Sequence, residues 1–352
     1  MAHKFVAPPV IRLGRERALR PSLQWVLWMG SAGEVRMGEG MNDRVREDEF
    51  LQAVDSLGEW IENSDRILVG AGAGLSAAAG LSYLDEDLFR QFQPEMAARG
   101  YRYPYQLFER EKEGWPEARE WAYLVRHIHF VCHVFPPAEL YRKLLAILSG
   151  RDFHVVTSNC DRQLVRTGFP RERVFEAQGS YDRLRCTAGC TRDTWPVKPV
   201  IDRLLPLIDP ATFTISDESA IPHCPSCGAS LATAFRSFEG YREERRRYEE
   251  WIGGTVNGSL CILELGVGFN TPGVIRWPFE RLAYVHGRAH LFRVNREYRE
   301  WPGHGGYAMV PVELAGRATS MPWDAGEVIE RLYARCAVAP GAVPGTAAGE
   351  GA

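Results

Sequence analysis

The sequence predicts an α/β fold: a doubly wound parallel sheet with a second, small domain inserted into it. Three observations carry that expectation. Short apolar runs alternate with amphipathic helical patterns, as strands and crossover helices do in a parallel sheet. A glycine-rich turn directly follows the first apolar run. The alternation then fails between about residues 181 and 235, where Cys, Pro and Gly take over.

The elements follow in order. Residues 1–40 show neither helical nor strand periodicity and read as a loosely ordered leader, with Met41 as an alternative start. Phe50, Leu51, Val54, Leu57, Trp60 and Ile61 recur at three-and-four spacing, which predicts an amphipathic helix ending at Asn63-Ser64-Asp65. Arg66–Gly70 is the kind of apolar run that a buried parallel strand shows. Gly70-Ala71-Gly72-Ala73-Gly74-Leu75-Ser76 follows it and runs into a small-residue segment. Residues 117–133 and 137–149 read as helices, and 153–157 and 174–176 as strands. Beyond the cysteine-rich stretch come a charged helix over 238–252 and a buried strand over 260–265. Two further apolar runs, 282–285 and 291–294, read as strands, and 325–332 as a helix capped by Asp324. The expected organisation is therefore a leader (1–40), the first part of the large domain (41–180), a metal-binding small domain (181–235), the second part of the large domain (236–336) and a flexible Gly/Ala tail (337–352).

Composition sets outer bounds. The chain has 352 residues, 42 Lys+Arg against 45 Asp+Glu, and a net charge of −3. A general nucleic-acid binder would carry a strong basic excess, so no nucleic-acid partner is expected. No stretch reaches the roughly 20 consecutive apolar residues that a transmembrane helix needs, and no secretory pattern opens the chain. The expectation is a cytoplasmic, reducing setting, in which paired cysteines are metal ligands rather than disulfides.

Three motifs carry chemistry. In the strand–turn–helix unit at 66–80, glycines let a backbone approach a pyrophosphate; the same turn also serves without a ligand. Cys186-x3-Cys190 and Cys224-x2-Cys227 are two close pairs separated by a few tens of residues, the spacing of a closed four-thiolate zinc site with a structural role. His223 beside Cys224 is superfluous to such a shell. Thr157-Ser158-Asn159-Cys160-Asp161 stands at the carboxyl end of a strand, where open α/β sheets bind ligands; a turn capped by Asn and Asp would look the same. No His is placed to activate Cys160, so a nucleophilic Cys160 is not expected. His127, His129 and His133 are read as packed or solvated, on different helix faces. Arg245-Arg246-Arg247 among Glu243, Glu244, Glu249 and Glu250 reads as a salt-bridged helix face.

Together these motifs, in this order, resemble the sirtuin family over about residues 45–335. The resemblance implies a Rossmann-like domain with an inserted zinc ribbon, consuming NAD as co-substrate. It makes Gly70–Gly74 and Ser76 the phosphate-holding turn and Thr157–Asp161 the counterpart of the family's Thr-Gln-Asn-x-Asp. Gly266-Val267-Gly268-Phe269-Asn270 stands in place of Gly-Thr-Ser, and Val294-Asn295 in place of the Ile-Asn near the adenosine ribose. Gly70, Ala71, Gly72, Ala73, Gly74, Ser76, Ser158, Gly266, Gly268, Asn270 and Asn295 are the expected cofactor-binding residues, Asn159, Gln178 and Asp161 the expected catalytic ones.

The departures narrow the reading. Sirtuin deacylases carry Glu-x-His-Gly before the zinc ribbon, and this chain has Glu176-Ala177-Gln178-Gly179. Imidazole accepts a proton near pH 7; a carboxamide does not. The Phe and Arg of the deacylase loop are also missing after Gly80. The chain looks most like the class M, macrodomain-linked sirtuins, which are protein mono-ADP-ribosyltransferases. That class implies a protein acceptor, in some members a lipoylated carrier resembling glycine-cleavage H protein, and a macrodomain hydrolase as functional partner. A deacylase, an NAD glycohydrolase and a non-catalytic NAD or ADP-ribose sensor are the alternatives.

Overall fold

The computed structural model describes residues 42–107, 114–234, 239–296 and 306–338. The leader expected over 1–40, Met41, and all but the first two residues of the tail expected over 337–352 lie outside the described residues. The chain divides into two compact units, residues 1–52 and 53–352. The described part of the first, 42–52, is helical.

The elements run α1 (Asn42–Asn63), β1 (Arg66–Ala71), α2 (Ala73–Ala78), three short helices α3 (Glu86–Phe92), α4 (Pro94–Ala98) and α5 (Pro104–Leu107), then α6 (Glu117–His129) and α7 (Glu139–Leu148). Next come β2 (Phe153–Thr157), α8 (Gln163–Arg166) and β3 (Val174–Glu176). A small module follows with β4 (Arg183–Cys186), β5 (Thr194–Pro196), α9 (Lys198–Leu204), β6 (Ile208–Asp209), β7 (Thr214–Ile215) and β8 (Leu231–Thr233). Then α10 (Glu239–Gly253), β9 (Leu260–Leu265), α11 (Arg276–Val285), β10 (Ala289–Val294), β11 (Ala318–Met321) and α12 (Ala325–Val338) complete the order.

Six strands pair in parallel in the order β11-β10-β9-β1-β2-β3. The sheet grows one way from β1 to β3 and the other way from β9 to β11, so its order reverses between β1 and β9. Every residue of β2 and β9 is buried, which explains why these strands read as unbroken apolar runs rather than alternating ones. On one face Leu68, Val156, Ile262 and Leu291 pack against Ile252 of α10 and Phe279 and Ala283 of α11. On the other, Trp60 of α1 brings its ring 5.1 Å from that of His290 in β10. Helices thus cover both faces, and the sheet is doubly wound.

The small module lies between β3 and β9 in the chain. Its strands form an antiparallel sheet in the order β5-β4-β8. Leu184, Val197, Ile201 and Phe213 share one core with Trp121, Val125 and Ile128 of α6.

One expected strand is not a strand. Residues 282–285 end α11, with Phe279 and Ala283 at i and i+4 turned to the sheet. A four-residue apolar run is too short for its period to be read, and here packing chose the helix. The Asp324 cap is present: its Oδ1 accepts the Gly326 amide at 2.7 Å. The histidine reading needs amendment as well. α6 passes into a π-helical turn over Phe130–Val134, and the His129 and His133 rings face one another at 6.2 Å.

The sheet reversal is where backbone crowding is greatest. A Cβ at Gly72 would meet Gly266 O at 2.4 Å, and one at Gly74 would meet Gly266 Cα at 2.7 Å. Gly266 itself has φ +61° and no room for a Cβ, with Leu75 N only 2.3 Å from where that atom would sit. Gly266→Ala should cost roughly 2–4 kcal/mol, from strain plus forced separation of the two turns. Thermal unfolding should show a clear fall in Tm, whereas Gly287→Ala, with nothing within 4 Å of its added Cβ, should leave it unchanged. Equal Tm values for the two variants would contradict this account.

Candidate functional site

Strand register places the site. Glu176 pairs with Thr157, Thr157 with Ala71, Ala71 with Leu265, Leu265 with Val294 and Val294 with Met321. The carboxyl ends of all six strands therefore lie in one row. Just beyond it stand Gln178, Asn159, Ala73, Val267 and Asn295, each one or two residues past its strand. Residues far apart in sequence meet because the sheet levels them. An α/β protein of this strand order holds its ligand cleft along that row.

A buried polar knot sits behind the cleft floor. Ser76 Oγ donates to Asp161 Oδ2 at 2.5 Å and lies 3.1 Å from the Tyr141 hydroxyl. Asn159 Nδ2 donates to Ser76 Oγ at 2.9 Å and to Gly72 O at 2.8 Å. Asp161 Oδ1 accepts the Gln163 amide at 2.9 Å. Burial pushes the Asp161 carboxyl upward, and the bonds from Ser76 and Gln163 work against that. Asn159 Oδ1 takes no hydrogen bond among the described residues, so it is the atom left for a ligand.

The opposite wall is tied across the reversal. Gln178 Nε2 donates to Thr271 Oγ1 at 2.7 Å, joining the end of β3 to the loop after β9. Asn295 Nδ2 donates to Val267 O at 3.1 Å, joining the end of β10 to the same loop. Gly74 N donates to Gly266 O and Ser158 N to Ala71 O, at 2.9 and 3.1 Å. Gly268 approaches the Tyr307 ring, and Asn270 is exposed on the loop. Gly70 lies within β1, where a Cβ would strike Ile275 and Phe279 at 2.7 Å. Ser76 is turned inward, to Asp161. These two expected phosphate contacts thus also have packing and hydrogen-bonding work inside the fold.

Sequence reasoning missed the charges beneath this wall. Glu264 of β9 and Arg293 of β10 are register partners, fully buried, with Nε–Oε1 at 2.8 Å and Nη2–Oε2 at 3.0 Å. Arg293 also reaches Glu280 at 2.8 Å. Arg276 donates to Tyr307 O and Met309 O at 2.8 and 3.0 Å, with its guanidinium 4.0 Å from the Phe269 ring centre. Charged letters inside otherwise apolar runs, at 264 and 293, were the available signal. At the β3 edge, Arg171 bridges the buried carboxylates of Glu176 and Glu244 at 2.9 and 2.5 Å.

The four cysteines converge. Their sulfurs all lie within 4.8 Å of one another, with Cys186–Cys227, Cys186–Cys190 and Cys190–Cys224 at 3.6, 3.6 and 3.5 Å. A disulfide needs about 2.05 Å. Tetrahedral zinc with Zn–S near 2.3 Å needs sulfurs about 3.8 Å apart. The spacing fits the metal and not the bridge. His223 turns away, its Nε2 at 3.4 Å from Glu117. Among the described residues no other group of three or more His, Cys, Asp and Glu converges to hold an ion.

Known proteins with similar sequences point the same way. No family model matches the chain. It is 36% identical over 288 residues to a Fusarium oxysporum f. sp. cubense protein described as "Probable bifunctional ADP-ribose hydrolase/ADP-ribosyltransferase", covering 78% of this chain and 46% of that one. The chain thus spans about half the length of that relative. It is 25% identical over 265 residues to a protein ADP-ribosyltransferase of Staphylococcus aureus strain Mu50, covering 73% of this chain and 80% of that one. Among solved structures, a Sir2 homolog–NAD complex aligns with TM-score 0.49 at 18% identity, over 80% of this chain and 93% of that one. A Sir2 bound to acetylated peptide aligns with TM-score 0.44 at 20% identity, over 83% and 99%. The fold itself rests on the strand order and register. The resemblance to sirtuin ADP-ribosyltransferases that the motifs carry holds.

Burial lifts the Glu176 carboxyl from its usual 4.5 to about 7, against the pull of Arg171. The stability this group contributes is present below pH 4.5, where both states hold the proton. It is lost as pH rises to 7, because the unfolded chain ionises first. Glu176→Gln should remove that slope and gain on the order of 2 kcal/mol relative to the parent between pH 5 and pH 8. Denaturant midpoints at the two pH values measure it; parallel pH profiles for parent and variant would disprove the assignment.

Proposed function

We propose that the chain is an NAD-dependent protein mono-ADP-ribosyltransferase of sirtuin type. The observation that carries this reading is the Gln178 carboxamide, hydrogen-bonded across the cleft to Thr271 where a deacylase would need an imidazole. The two ADP-ribosyltransferase relatives support it.

NAD would lie along the row of strand ends, where the fit is steric: Gly72, Gly74 and Gly266 leave no side chain at the sheet reversal. Ala71, Ala73, Gly268, Asn270, Ser158 and Asn295 complete the lining of that groove. Gly70 and Ser76 act from behind it, Gly70 by admitting Phe279 and Ser76 by orienting Asn159. Bound NAD would supply the ADP-ribosyl group with nicotinamide as leaving group. Asn159 Oδ1 is placed to accept a hydrogen bond from a ribose hydroxyl, and Asp161 fixes that amide through Ser76. Gln178 holds a hydroxyl without removing its proton, since its carboxamide is no base near neutral pH. Positioning is retained and the base that completes deacylation is absent, so transfer to an acceptor is the outcome.

The same reading assigns zinc to Cys186, Cys190, Cys224 and Cys227, as a closed structural site that cross-links the small module, expected over residues 181–235, to itself. The acceptor would be a protein, with a lipoylated carrier as the specific candidate and a macrodomain hydrolase removing the mark. The fungal relative, bifunctional in its description, supports a hydrolase partner. A reducing cytoplasm suits eight cysteines without a disulfide between described residues. No described helix is long and apolar enough to cross a membrane.

Asn159→Ala should lower nicotinamide release and label transfer from adenylate-labelled NAD by on the order of a hundredfold or more. Bound zinc should not change, and Tm should fall only modestly, since the two lost hydrogen bonds to Ser76 and Gly72 represent roughly 1–3 kcal/mol. Unchanged release would overturn the assignment, and free ADP-ribose without labelled protein would make the enzyme a glycohydrolase. Stripping the metal with a strong chelator should unfold the module and lower Tm; a chelated protein with its original Tm would remove the structural role of zinc.

A further inference from the structure

Resting on the transferase reading above, we propose that an arginine-lined cavity beside the four-cysteine cluster docks an acidic segment of the protein acceptor. The cavity, of about 340 Å³, lies between the β4–β5 hairpin and α10 and is lined by Arg185, Arg192, Arg242, Thr191, Asp193 and Thr194. The lining carries three arginines and one aspartate, in a chain whose net charge is −3. That carboxylate is engaged, since Asp193 Oδ2 accepts the Thr191 hydroxyl at 2.7 Å.

The three arginines differ from their neighbours. Arg245, Arg246 and Arg247, one turn further along α10, all pair with Glu243, Glu249 or Glu250. Arg183, two residues from Arg185, is held by Thr194 through Nε and Nη2, both at 2.6 Å. Arg185, Arg192 and Arg242 have no carboxylate partner among the described residues. Arg185 is half-buried; its Nη1 donates to Cys186 O at 3.2 Å, while its Nε is buried with no partner. The buried Nε holds that part of the side chain inside the fold, and the guanidinium end of Arg185 is the part that a carboxylate in the cavity would meet.

Position makes the occupant an acceptor protein. Gln178 and Arg185 are seven residues apart, so no more than about 25 Å of chain separates them. On α10, Glu244 accepts the Glu176 amide at 3.1 Å, two residues before Gln178 and two after Arg242. The cavity therefore borders the β3 side of the cleft, within the span of a folded acceptor whose modified side chain has entered it. Several arginines gathered in one concavity recognise carboxylates where an exposed single pair contributes little.

A fluorescein-labelled hexaglutamate peptide tests this by anisotropy with the full chain. Binding should be saturable, about tenfold weaker at 0.3 M salt than at low salt, and about tenfold weaker in the Arg192→Glu/Arg242→Glu variant. Both positions are exposed, and nicotinamide release from NAD alone should not change in the variant. The Arg192→Lys/Arg242→Lys variant should keep most of the binding. Absent binding, or equal binding by the parent and the charge-reversed protein, overturns the proposal. So does displacement of the peptide by an equal concentration of inorganic phosphate, which would make this a small-anion site. Failure of the parent to cleave NAD would instead sink the cleft reading and leave peptide binding standing.

Discussion

Two peptide segments with no side chain between them, Gly72–Gly74 and Gly266, hold the cleft together. β1 and β9 pair in register from Arg66 and Leu260 to Ala71 and Leu265, so both turns leave the sheet at the same level. There they collide unless neither carries a Cβ, and Gly74 N closes the contact on Gly266 O at 2.9 Å. A methyl group between them would separate the turns by an ångström or more. Asn159 to Gly72 O, Asn295 to Val267 O and Gln178 to Thr271 are each bonds of 2.7–3.1 Å to one of those two turns or its loop. None survives such a displacement. The glycines are thus a condition for the site before they are a place for a ligand.

Beneath the second turn lies a charge cluster whose cost and purpose differ. Glu264 and Arg293 are both fully buried, and pairing in the interior roughly offsets desolvation rather than exceeding it. Burial drives the Arg276 guanidinium down to about 10, which still leaves it charged at neutral pH. What the cluster adds is geometry. Arg276 and Arg293 both reach the carbonyl oxygen of Met309, and Arg276 that of Tyr307. The segment with Tyr307 and Met309 is thereby fixed against the loop carrying Gly268 and Phe269. An apolar pair at 264 and 293 would pack as well but would not donate to those carbonyls.

What could be read in the sequence was local. The runs at 66–71, 153–157 and 260–265 declare themselves because each strand is buried on both faces, and the cysteine pairs because chelation fixes their spacing. The Leu282–Val285 run misled because four apolar residues fit either period. Glu264 and Arg293 stood in plain view as charges in apolar runs, but their pairing depends on a register between strands 29 residues apart. The same holds for Ser76 and Asp161, joined across 85 residues. Sequence spacing put Asn159 and Gln178 at strand ends; only the sheet brings those ends level. The arginines at 185, 192 and 242, without a carboxylate partner among the described residues, were unreadable for a related reason: Arg242 stands beside a run of arginines that do pair, and only the fold brings 185 and 192 next to it.

The polar knot gives the cleft a direction. Asp161 accepts from the Gln163 amide and from Ser76, and two donors aimed at one carboxyl favour its ionised form against the desolvation that opposes it. With the Ser76 proton committed to Asp161, the hydroxyl oxygen can only accept from Asn159. The Asn159 amide must then present Nδ2 inward, to Ser76 Oγ and Gly72 O, and Oδ1 outward. A carboxamide has no intrinsic preference between its two orientations, so a carboxyl two residues along the chain, acting through Ser76, sets which atom faces the cleft. Gln178 is oriented in the same manner by a hydroxyl, Thr271, with its Nε2 spent on that bond. Both amides at the cleft are therefore aimed by partners inside the fold, which is what a site needs when it works by placing groups rather than by taking protons.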